Sequence, residues 1–223
     1  VLQDGVYRPV SIDCTSNAPN GTASAPITLK AEHERRAHLQ GDGSAIVLYI
    51  SGCSYWTFEG LYVTSADRPP EYDYNNVRVY QSDHLTFRRM LAAYNNRYHN
   101  ASIFLIYYSH HILVEESEFY SYHRNGLGGN NSDSITLRRN YLNSRGYADL
   151  PDGRYSGDPY RGDSGIIVYP MSNVLAENNI SEGQSVGFDT EGAYGSPKDN
   201  RYYGNVSLHD GYGWYATSRE PSI

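Results

Sequence analysis

The chain has 223 residues, a formal net charge of −7, 39% hydrophobic residues and only 19% charged ones. That balance excludes a sequence-independent nucleic-acid binder, which needs a basic stripe. No run approaches the roughly 18 apolar residues of a membrane span. The 23 tyrosines against 5 phenylalanines supply amphipathic aromatic rings, either as platforms for sugars or simply as the solvated side of strands.

The sequence opens on VLQDGVY, which reads as a strand entering mid-fold. Residues 1–223 are therefore expected to form a single domain that is a mature or trimmed segment of a longer array. Cys14 and Cys53 form one disulfide or none. From Ser51 onward six segments can be laid on one another: SGCSYWTFEGLYV, QSDHLTFRRMLA, YSHHILVEESEF, NSDSITLRRNYL, MSNVLAENNIS and SPKDNRYYGNVSL. Phe58, Phe87, Val114, Leu137, Ala176 and Tyr202 fall at equivalent places, spaced 29, 27, 23, 39 and 26 residues apart. The shortest spacing suits one turn of a three-faced coil, and the longer ones mark loops inserted at corners, above all near 145–163. The apolar runs are short and rich in Ile, Val, Leu and Tyr, with no helical period and no caps.

One coil cannot bury its own apolar side, so coils stack and their inward residues form a continuous core. The expected fold is all-β, a right-handed parallel β-helix solenoid of about eight coils. Period two assigns Ile103 and Leu105, Ile135 and Leu137, and Ile166 and Val168 to the inside. Asn140, Asn179 and Asn205 share a corner, where stacked asparagines hydrogen-bond along the axis and tolerate left-handed backbone.

The opening DGVY strand, the PITLKA strand and the FEGLYV strand together resemble the first coils of the pectin-lyase-like right-handed parallel β-helix proteins. The resemblance runs over nearly the whole chain and implies architecture more than activity, since such proteins include lyases, hydrolases, epimerases and non-catalytic surface proteins. The sequence lacks the paired-aspartate and G-H-G pattern of polygalacturonases. It also lacks the N-G-x-E-x-I-R phrase of alginate and chondroitin lyases, which GGNNSDSITLR matches only loosely.

Outward residues on successive coils form a groove suited to a linear polymer. The strands NVRVY, SIFLI, GLGGN, GIIVY and GFDTE present Arg78 and Tyr80, Phe104 and Ile106, Gly128 and Asn130, Ile167 and Tyr169, and Asp189 and Glu191, with Gly128 and Gly129 flattening the middle. His99, His123, Arg124 and Asp163 occupy the corner feeding this face. Asp189 and Glu191, two apart on one strand face, stand about 6.5–7 Å apart. They read as the acid and base of an inverting glycosidase, or with Asp163 as oxygen ligands for Ca²⁺ that neutralises a uronate carboxylate. For β-elimination, His123 is the expected base, and Arg124, Arg154 and Arg161 are the expected carboxylate clamps. Arg78, Tyr80, Asn130, Arg161, Tyr169 and Lys198 are the expected substrate contacts. The expected function is that of a secreted or cell-surface, monomeric, polysaccharide-active protein, foremost a lyase of uronic-acid polymers. A glycoside hydrolase and a non-catalytic glycan-binding adhesin are the alternatives.

Overall fold

The computed structural model describes residues 1–66, 74–95, 102–144, 163–192 and 198–218. They wind through three parallel sheets, one strand per sheet in each coil. The first sheet runs from Gly5–Tyr7 to Val206–Leu208 and the second from Val10–Asp13 to Tyr212–Ser218, each with eight strands; the third runs from Ile27–Lys30 to Arg201–Tyr203 with seven. Among the described residues no helix is long and apolar enough to cross a membrane. The fold is thus an all-β parallel solenoid.

The repeat alignment is the actual register of the third sheet. Phe58 pairs with Phe87, Phe87 with Val114, Val114 with Leu137, Leu137 with Ala176, and Ala176 with Tyr202. Stacking equivalent residues puts like on like along the axis. Phe58 and Phe87 stack in this way with centroids 4.8 Å apart, while between the sheets Phe104 meets Phe87 edge-on at 5.0 Å and Phe119 meets Phe104 edge-on at 5.9 Å. All four rings are fully buried, and such pairs add about 0.5–1.5 kcal/mol each beyond area burial.

Polar ladders lock the corners. The Asn140 amide donates to Asn179 Oδ1 at 3.0 Å and the Asn179 amide to Asn205 Oδ1 at 2.9 Å, as the shared register predicts. Ser82, Ser109 and Ser132 form a second ladder, each hydroxyl accepting the backbone N–H of the coil before it. The left-handed backbone, however, belongs to the residues before the asparagines: Arg139, Asn178 and Gly204, with φ of 54°, 55° and 60°. Each non-glycine residue in that region costs roughly 1–2 kcal/mol, and the ladder bonds offset the cost.

One strand departs from the sequence reading. In Phe104–Tyr107, Phe104 and Ile106 are buried and Leu105 faces out, the reverse of the expectation. Phe104 is in register with Val77 and Leu127, both core residues, while Leu105 pairs with Arg78 and Gly128. The run Ile103–Ile106 is apolar on both faces, so its own pattern does not specify the register and the neighbouring strands do. Cys14 and Cys53 form a disulfide, with Cα atoms 4.9 Å apart.

Candidate active site

The outward face of the second sheet carries two rows. Arg78, Leu105, Gly128, Ile167, Asp189 and Tyr215 follow one another in register, and beside them run Tyr80, Tyr107, Asn130 and Tyr169. Gly128 keeps the floor low: a Cβ there would stand 2.4 Å from Ile167 Cγ2, so Ile167 lies across the space. Gly129 does not contribute to this flattening as expected. Its missing side chain is on the inner face, where Met171 Sδ would be 2.4 Å from a Cβ.

Two depressions of about 330 and 220 Å³ open along this face. Arg124, Asn125, Ile167 and Glu191 line both, making one trough. Asp163, Ser164, Asp189 and Tyr215 complete the larger depression, and Asn130 and Tyr169 the smaller. The distant residues Arg124 and Glu191 therefore share a wall, as stacked coils require. Arg124 Nε lies 3.9 Å from Asp163 Oδ2, and the Asp163 backbone N–H donates to the Arg124 carbonyl at 2.6 Å.

Asp189 is the focal group. It is 5% exposed, its Oδ2 accepts the Ser164 hydroxyl at 2.9 Å, and its Oδ1 is buried with no hydrogen-bond partner. Burial pushes its carboxyl up to about 6, helped by the charges of Glu191 and Asp163 and opposed by the bonds from Ser164 and the Thr190 backbone. Asn125 and Asn130, which also line the trough, likewise each have a buried Oδ1 without a partner. Buried acceptors left open on one surface are unusual and mark where a ligand's donors belong.

The other expected site residues fall in different places. Arg78 and Tyr80 face outward on the same sheet, with Arg78 Nε donating to Asn75 Oδ1 at 2.7 Å. His123 lines neither depression, and its backbone N–H donates to Asn95 Oδ1 at 3.0 Å. Lys198 also lines neither. It precedes the third-sheet strand Arg201–Tyr203, and its carbonyl accepts the Asn173 N–H. Arg154, Arg161 and His99 lie outside the described residues, as does most of the 145–163 insertion. The sequence reading missed Tyr107, hidden by the slipped register. It also missed Ser164 and Asn125, which precede the alternating part of their strands and carry no periodic signal.

Asp163, Asp189 and Glu191 offer the oxygen chemistry Ca²⁺ favours. Their carboxylates nevertheless do not gather within 4.8 Å of one another; among the described residues one other group, Asp83, His84 and His111, does.

No protein-family model matches the chain, and no curated protein does. Among solved structures, the chain is similar to an alginate lyase from Paenibacillus sp. str. FPU-7, with a TM-score of 0.63 and 14% identity over 94% of this chain and 68% of that one. It is also similar to PfbA, a surface adhesin of Streptococcus pneumoniae, with a TM-score of 0.50 and 8% identity over 92% and 70%. At such identities the likeness is one of fold alone, that of a parallel β-helix.

Proposed function

We propose that the chain cleaves a linear polysaccharide laid along the trough, by hydrolysis, with Asp189 as general acid and Glu191 as general base. The observation that carries this reading is the buried Asp189 carboxyl, raised to about 6 and sharing a strand face and a depression with Glu191. A carboxyl raised by burial beside a second carboxyl on the same face is suited to give up a proton in an acid–base pair. Protonated Asp189 gives its proton to the glycosidic oxygen. Glu191 takes a proton from the water attacking the anomeric carbon from the opposite side, leaving inverted configuration at that carbon. A spacing of about 6.5–7 Å for alternate residues of a strand falls in the range that leaves room for the water.

The open acceptors of Asn125, Asn130 and Asp189 support a hydroxyl-rich ligand, and Tyr169 and Tyr215 offer ring faces beside them. The Cys14–Cys53 disulfide supports a secreted or cell-surface setting. The dominance of acids in the described trough favours a neutral or sparsely charged polymer over a polyuronate.

β-Elimination is the second reading, favoured by Arg124. Its guanidinium lines both depressions, where it can pair with a uronate carboxylate. In that chemistry ionised Asp189 removes the C5 proton, a C4–C5 double bond forms, and the C4–O bond breaks with its electron pair going to the leaving oxygen, which takes a proton from water.

The test is incubation of the chain with neutral polysaccharides, pectate, alginate and glycosaminoglycans, with and without Ca²⁺, while following reducing ends and ultraviolet absorbance. New reducing ends without unsaturation, lost in Asp189→Asn, support hydrolysis. Unsaturated product transfers the assignment to elimination. Turnover that survives Asp189→Asn overturns both.

A further inference from the structure

The third sheet, away from the trough, carries a cluster that neither reading uses. The second residue of each of its strands from Ser54–Glu59 to Asp133–Arg138 is left-handed: Tyr55, His84, His111 and Ser134, with φ between 50° and 58°. This left-handed residue, repeated at one register position, lifts one side chain per coil out of the alternating pattern, and the three rings stack coil on coil. Tyr55 stacks on His84 with centroids 4.6 Å apart, and His84 stacks on His111 at 4.4 Å.

Asp83 lies against both imidazoles. His84 Nδ1 is 2.8 Å from Asp83 Oδ2, and His111 Nδ1 is 2.8 Å from Asp83 Oδ1. One potential ligand atom from each residue lies within 4.8 Å of the others. All three side chains are about half exposed, so a solvated ion reaches them freely.

We propose that Asp83, His84 and His111 bind a divalent transition-metal ion of the Zn²⁺, Ni²⁺ and Cu²⁺ class. Two imidazole nitrogens and one carboxylate oxygen suit such borderline ions and not Ca²⁺, which prefers six or more oxygens. A tetrahedral ion with bonds of about 2.0–2.2 Å spaces its ligand atoms about 3.3–3.6 Å apart. The imidazole whose Nδ1 already faces the ligating oxygen of Asp83 therefore moves out by roughly half an ångström as the ion replaces the bridging proton, and a small turn of the carboxylate brings that same oxygen toward the second imidazole. The ring stack limits how far the imidazoles move, so little ordering entropy is lost on binding. Water completes the shell. Because the ligands come from two successive coils, the ion clips those coils together.

The experiment is isothermal titration of the full chain, free of any added histidine tag, with Zn²⁺, with Ca²⁺ as the control and Co²⁺ for its visible spectrum. The expected result is one saturable Zn²⁺ equivalent, an intense four-coordinate Co²⁺ spectrum, and no Ca²⁺ uptake abolished by changes at these residues. His111→Ala and Asp83→Asn, each checked for native circular dichroism, are expected to weaken Zn²⁺ binding more than about tenfold. Absence of saturable Zn²⁺ uptake, or uptake unchanged in both variants, overturns the proposal. Asp189→Asn is expected to leave Zn²⁺ binding intact, so failure here is separate from failure of the proposed hydrolysis.

Discussion

The Ser164 hydroxyl donates to one carboxylate oxygen of Asp189 at 2.9 Å while the other oxygen of that carboxylate is buried with no partner. A half-satisfied buried acid is costly when ionised, and the fold tolerates it where a ligand or a proton completes it.

That cost is measurable as stability. The folded-state value of about 6 lies above the ordinary 3.8, so the protonated carboxyl favours the native state. Its contribution is fully present below pH ~4 and is lost as pH rises through about 6, amounting to about 2–3 kcal/mol. Asp189→Asn, which cannot ionise, is expected to raise the melting temperature by several degrees at pH 7.5 and by much less at pH 4.5. Thermal unfolding monitored by circular dichroism at the two pH values checks this. Equal shifts at both would mean the carboxyl is not perturbed.

The same value separates the two chemistries by pH. If Asp189 is the general acid, kcat/KM falls as pH rises above about 6, because the proton to be donated is gone. If it is the base of an elimination, kcat/KM rises over that interval. A pH–rate profile of the wild-type chain with its best polymer decides between them, and a flat profile argues for neither.

The adjacent glycines on strand Asn125–Asn130 are expected to differ in what they control. Gly129→Ala forces a methyl toward Met171 Sδ and the Ile106 carbonyl in the core, with an expected cost of about 1–3 kcal/mol in denaturant unfolding. Gly128→Ala displaces the Ile167 side chain on the trough floor, so its expected signature is a raised KM with smaller loss of stability. Reversal of the two phenotypes would mean the strand's faces are exchanged.

Asn179 sits at the middle of its ladder. Its amide donates to Leu137 O and Asn205 Oδ1, and its Oδ1 accepts both the Asn140 backbone N–H and the Asn140 amide. Asn179→Ala strands several buried partners, at about 1–3 kcal/mol for each group left unsatisfied. The expected outcome is a loss of at least about 3 kcal/mol in urea titration, and a cost below about 1 kcal/mol would show that water replaces the ladder.

Removing the Cys14–Cys53 bond releases a loop spanning 39 residues. The chain-entropy model puts the cost near 4 kcal/mol. Melting of the Cys14→Ser/Cys53→Ser chain against the oxidised wild type measures it.

The architecture was legible because stacking turns sequence equivalence into spatial contact. The series from Phe58 to Tyr202 needed only repeated apolar residues at a repeating corner, and the asparagine ladder followed from the same alignment. The facing of Phe104 was not legible, since Ile103–Ile106 is apolar throughout and only its neighbours Val77 and Leu127 fix the register. Arg124, Asp189 and Glu191 could be brought to one trough by counting coils. That His123 lines neither depression could not be read that way, because adjacent corner residues diverge and no period describes them. The imidazole stack was invisible for a related reason. A single left-handed residue per strand creates it, and nothing in the identities of His84 or His111 announces that conformation.

The corner ladders also bear on how such a protein changes over generations. The middle coils meet their neighbours through the same kinds of serine and asparagine rungs, so such a coil duplicated or deleted whole would leave matching surfaces on either side. Trough length is thereby free to drift while the immediate surroundings of Asp189 remain constant.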